Sequence, residues 1–149
     1  MLTKPDHGWT NLQIGQFSER ASYLTDVPND CLDAFIYALQ NKVPITVFFD
    51  AEGWDFHLVA SYYQSYVIVD KDDAKMFAFD KTVLELAKEL YEDINNNFDS
   101  WVNWESYDDD DTDEEKEIKT ETLVAKLNQL NIEISKKEHG EISEIEIMH

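Results

Sequence analysis

The chain has 149 residues, of which 32 are acidic and 12 basic, giving a formal charge of −20. That balance argues against nucleic-acid binding, which needs a basic stripe, and favours a basic partner. The single cysteine, Cys31, excludes an internal disulfide framework and a cysteine-based zinc site, and no apolar run approaches the roughly 20 residues that span a bilayer.

With 43% apolar and 13% aromatic residues, the chain can still build a packed core. Its length suits one domain with an appendage. Met1 to Thr10 lack a basic-then-apolar leader pattern, so the expected location is the cytoplasm.

Charge density divides the chain after Trp104. Residues 1–104 and 105–149 each carry a net −10, but the second segment is less than half as long and holds one aromatic, Tyr107. The block Asp108 to Asp111, followed by Asp113, Glu114 and Glu115, repels itself and stays solvated. The expected organisation is an α+β domain over 1–104, an acidic linker over 105–115, and a weakly structured or docked segment over 116–149.

In chain order, Asn11 to Leu24 reads as a short strand pair around Gly15. Asp26, Val27 and Pro28 mark a helix start, with Asp26 as the expected cap. Leu32, Phe35, Ile36 and Leu39 then form one helical face ending near Asn41. Val43 to Asp50 and Trp54 to Ala60 alternate as two strands of a hairpin, with Gly53 supplying a positive φ. A turn over 50–53 sets Phe49 opposite Trp54, Val47 opposite Phe56 and Ile45 opposite Leu58.

A turn at Gln64-Ser65 pairs Tyr63 with Tyr66 and Tyr62 with Val67. The outer face then carries Phe48, Val59, Tyr63, Tyr66 and Ile68, too apolar to lie bare over a large area. Met76 to Phe79 adds a fourth strand. Asp80 is the expected cap of a helix whose core stripe is Val83, Ala87, Leu90, Ile94, Phe98 and Trp101, weakened at Asn95-Asn96-Asn97. Further on, Leu123, Leu127 and Leu130 suggest a short amphipathic helix, and 131–135 and 144–147 alternate like edge strands. The fold class is therefore α+β: an antiparallel sheet of three to five strands with two helices packed on one face, plus an acidic C-terminal extension.

Chemistry is sparse. There is no Gly-rich phosphate loop, no His-Glu-x-x-His and no Gly-x-Ser-x-Gly elbow. Cys31 with His57 can be written as nucleophile and base, but Cys31 sits among apolar helix neighbours, where a free thiol behaves as a small hydrophobe. His57 with Asp50 or Asp55 falls short of the three or four ligands a metal site needs, and the acidic run lacks the Gly of a calcium loop. The expectation is a non-enzyme with no catalytic, cofactor or metal residues.

The candidate partner-binding residues are Asp50, Glu52, Trp54 and Asp55 at one hairpin tip, Asp72 and Asp73 at a later turn, and Trp104, which lies off the core stripe. Carboxylates with aromatic anchors suit a Lys/Arg-rich partner.

The runs Ala21 to Phe35 (ASYLTDVPNDCLDAF) and Val47 to Phe56 (VFFDAEGWDF) resemble, in layout and composition over about 9–104, small cytoplasmic bacterial immunity-type proteins. The resemblance implies a protein that neutralises a basic toxin enzyme, a nuclease, by stoichiometric occlusion. The alternative is a non-inhibitory regulatory module that binds a protein partner or itself. A small hydrolase or metal enzyme ranks last.

Overall fold

The computed structural model describes residues 1–104 and 112–147, with side chains described up to 139. Residues 105–111, most of the expected acidic linker, lie outside the described residues. The described chain forms a two-stranded and a four-stranded antiparallel sheet with helices.

Strands β1 (Trp9–Ile14) and β2 (Phe17–Ser22) pair from Ile14↔Phe17 to Trp9↔Ser22, so the two-residue turn falls at Gly15 and Gln16. Gly15 has φ +59°, a left-handed value that a glycine takes at no steric cost in such a turn. Helix α1 (Val27–Asn41) starts and ends where its stripe and Pro28 predict. Asp26 occupies the N-cap position but makes no side-chain cap. Its carboxylate instead accepts from Asn29 Nδ2 at 3.0 and 3.2 Å, which corrects the expected cap.

Strands β3 (Ile45–Asp50), β4 (Asp55–Ala60), β5 (Ser65–Asp70) and β6 (Ala74–Phe79) form a meander in that order. The β3–β4 register is displaced by two residues from the expected one: Phe49 faces Phe56, Val47 faces Leu58 and Ile45 faces Ala60. The turn is 51–54, closed by Ala51 N donating to Trp54 O at 2.9 Å. Asp50 Oδ1 accepts from Glu52 N at 2.7 Å, an Asx turn that lets the strand run on through Asp50. A two-residue slip preserves the faces, so the inward set survives the correction.

The β4–β5 turn is also displaced. Val59 faces Tyr66 and Leu58 faces Val67, because the loop spans 61–64 rather than 64–65. Ser65 Oγ accepts from Ser61 N, and Ser61 Oγ from Gln64 N, both at 3.2 Å. These side-chain bonds close the loop earlier than apolar alternation alone suggests.

Helix α2 (Val83–Asn96) is capped by Thr82, not Asp80. Thr82 Oγ1 accepts from Glu85 N at 3.2 Å while Glu85 Oε1 accepts from Thr82 N, a reciprocal capping box. The helix breaks at Asn97, whose side chain donates to Asp93 O, and a short α3 (Phe98–Val102) follows.

The largest departure from expectation is α4 (Asp113–Ile147), a 35-residue helix where edge strands were expected at 131–135 and 144–147. Leu123, Leu127, Leu130 and Ile134 are buried, a spacing of four, three and four that continues one helical stripe. The alternating Ile132 lies off that stripe and is 48% exposed.

Helix α1 lies on the sheet at β3, and α2 and α4 pack against α1 and each other. Lys126 Nζ ties α4 to Asp33 of α1 at 3.0 Å, and Lys88 pairs with Glu138. The sheet's inner face is thus roofed by α1 near β3, with α2 and α4 behind it. Near β6 it is capped by Phe17, whose ring lies 5.2 Å from Phe77 and 5.9 Å from Phe79.

Candidate functional site

Registers across β3 to β6 assign every outward residue to a row. One row is Asp50, Asp55, Asp70 and Ala74. The next is Phe48, His57, Ile68 and Met76, and the third is Thr46, Val59, Tyr66 and Ala78. Their inward neighbours Phe49, Phe56 and Val69 are buried, which fixes this face as the outer one.

Among the described elements, the extensive contacts to this sheet come from α1 and β2, both at β3. The outer rows remain open: Phe48 is 41% and Met76 66% exposed, while His57, Val59, Tyr66 and Ile68 are half-buried by one another. Phe48 and His57 pack ring to ring at 5.2 Å. The result is an apolar band bounded at one end by three carboxylates in lateral register. Like charges directly opposite across strands cost stability, so packing does not account for the row.

The tip residues gather at the same end of the sheet. Asp50 and Asp55 head the acidic row, and Glu52 is exposed with φ +59°. Trp54 is half-buried against Phe56 at 5.8 Å, with Lys71 Nζ 5.2 Å above its ring. Asp72 and Asp73, exposed in the β5–β6 turn, lie beyond Asp70 at that end. The structure thus brings together six of the seven candidate residues.

Trp104 is the exception and a correction. It is only 5% exposed, with its ring 5.5 Å from that of Trp101, in a small cavity wall shared with Leu123 of α4. Its place off the α2 stripe predicts an exposed contact, but α4 covers it and makes it core.

In sequence Asp70 adjoins the later turn of Asp72 and Asp73, but the structure sets it beside Asp55 in the acidic row. The missed signal is the pair Ser61 and Ser65, whose side chains set the β4–β5 loop and thereby align Asp55 with Asp70.

Cys31 is fully buried on α1, and burial, reinforced by Asp30 and Asp26, pushes its thiol well above the usual range. His57 lies on the opposite side of the sheet, so the two do not meet. Burial, with Asp26 and Asp33 beside it, also raises the Asp30 carboxyl, against the lowering effect of Lys126. Among the described residues, no group of three or more His, Cys, Asp or Glu is placed to hold a metal ion. None of the helices described is long and apolar enough to cross a membrane. In comparisons with known proteins, no family matches this chain, and no curated protein or solved structure matches it either.

Proposed function

We propose that the chain is an immunity-type binding protein that docks a basic toxin enzyme, a nuclease, on the outer face of the four-stranded sheet and occludes its cleft stoichiometrically. The observation that carries this reading is the open apolar band of Phe48, His57, Ile68 and Met76 edged by Asp50, Asp55 and Asp70. An apolar centre beside a charged rim is the anatomy of a specific protein interface. A net charge of −20 attracts a cationic enzyme and repels the nucleic acid competing for it. No cofactor or turnover is required.

The test is capture from the native cell lysate with the full chain, followed by assay of the purified partner. A basic enzyme whose nucleic-acid cleavage disappears at one equivalent supports the reading. The triple variant Asp50→Asn/Asp55→Asn/Asp70→Asn binds about ten-fold or more weakly at low salt, and the difference narrows as salt screens the rim. A partner that stays fully active when bound overturns inhibition and leaves the regulatory-module reading. Unchanged affinity in both the triple variant and Phe48→Glu moves the contact off this face.

A further inference from the structure

The sheet also has an open edge. Among the described residues, strand β6 pairs only with β5, and five of its six residues are exposed, including Met76 and Phe77. An edge of this kind presents unpaired backbone donors and acceptors, and soluble proteins guard such edges with charge, proline or a cover. Within β6, Lys75 is the single charge and no proline occurs.

The surrounding charge identifies the occupant. Residues 71–81 hold Lys71, Lys75 and Lys81 against Asp72, Asp73 and Asp80, a net of zero in a chain of −20. A basic partner drawn by the acidic field gains nothing at a neutral edge. A second copy does, because at this edge two like-charged chains approach without local repulsion.

We infer that β6 pairs antiparallel with β6 of a second copy, making one continuous eight-stranded sheet. A two-fold axis perpendicular to the sheet keeps outer rows opposite outer rows. Of the registers this allows, the one centred on Met76 sets Lys71 opposite Lys81 of its copy. The register centred on Phe77 sets Asp73 opposite Lys81, twice by symmetry, and Met76 opposite Ala78, large against small. The Phe77 register is the one assigned. Lys81 already holds Glu89 at 2.7 Å but keeps a third of its side chain exposed. This pairing shares Met76 with the proposed toxin-docking band and Asp73 with the acidic tip, but it does not use the row of Asp50, Asp55 and Asp70.

Sedimentation equilibrium of the full chain tests it. The expected result is a species of twice the 17.4 kDa chain mass, forming with a Kd on the order of 10–100 μM. Association strengthens as NaCl rises from about 0.05 to about 0.5 M, where the Debye length falls from roughly 14 to roughly 4 Å. Salt acts in the opposite sense on a basic partner, which separates the two interfaces. Met76→Lys and Asp73→Lys each weaken self-association by about ten-fold, with unchanged circular dichroism, and Asp73→Lys/Lys81→Asp restores it. A chain that stays monomeric at about 200 μM in high salt overturns the inference. So does a dimer that neither single substitution weakens.

Discussion

The inner face of the four-stranded sheet presents Val47, Phe49, Phe56, Leu58, Val67 and Val69, all buried. The outer face presents Phe48, Val59, Tyr66, Ile68 and Met76, which stay half-buried or exposed. Both sets are large, apolar and rich in strand-forming residues. What separates them is the cover: α1 and the Phe17 hairpin lie on one side, while the other has no described layer over it. Strand composition therefore does not tell which side of a sheet is core when both sides are apolar. The acidic row does, because three aligned carboxylates are incompatible with a buried layer.

The largest test of this contrast compares two phenylalanines in adjacent rows. Phe56 has no exposed surface and stacks on Phe49 at 5.0 Å. Phe56→Ala lowers unfolding free energy by about 3–5 kcal/mol, the cost of a truncated core aromatic and its cavity. Phe48→Ala, on the open face, costs under about 1 kcal/mol. Urea denaturation of both variants measures the difference. Equal losses would mean that the outer face is packed against something in the intact protein.

Helix α4 repeats the contrast on a smaller scale. Leu130 has no exposed surface, whereas Ile132, two residues on, is 48% exposed. Leu130→Ala costs about 2–4 kcal/mol and Ile132→Ala under about 1 kcal/mol, read from the same denaturation curves. A strand over 131–135 would give a different result, because there Ile132 and Ile134 would share one face and Leu130 with them. The helix also makes a chain cut after Trp104 a poor reagent: it would bare the surfaces of α1 and α2 that Leu123, Leu127, Leu130 and Ile134 cover.

These elements show what the sequence made legible. The first hairpin, α1, the four strands and the α2 break at the asparagines follow from local signals of period, turn residue and weak helix former. The registers did not, because each depends on a loop closed by side chains: Asp50 to the Glu52 amide, and Ser61 with Ser65. A shift of two residues leaves burial intact but moves the partner of Asp50 from Gly53 to Asp55, which hides the acidic row. The long α4 was obscured by local alternation at Ile132 and Ile134, where the longer leucine stripe decides the outcome. The burial of Trp104 is illegible for the same reason, since its cover comes from that helix.

The finest distinction concerns the acidic row itself. Asp50, Asp55 and Asp70 face one another across three strands, so neutralising them removes repulsion. The triple Asn variant is expected to gain up to about 1 kcal/mol of stability, the scale of cross-strand charge pairs. Asn at position 50 keeps an oxygen to accept from the Glu52 amide, so the turn at 51–54 is retained. Because these charges are at least partly exposed, the gain shrinks as salt rises, which urea midpoints at two ionic strengths measure. A variant that is more stable yet poorer at holding a basic partner would identify the row as kept for binding at the expense of stability. A variant that is less stable would make the three carboxylates part of the turn architecture, and the outer face would then lose the charge that sets it apart from the inner one.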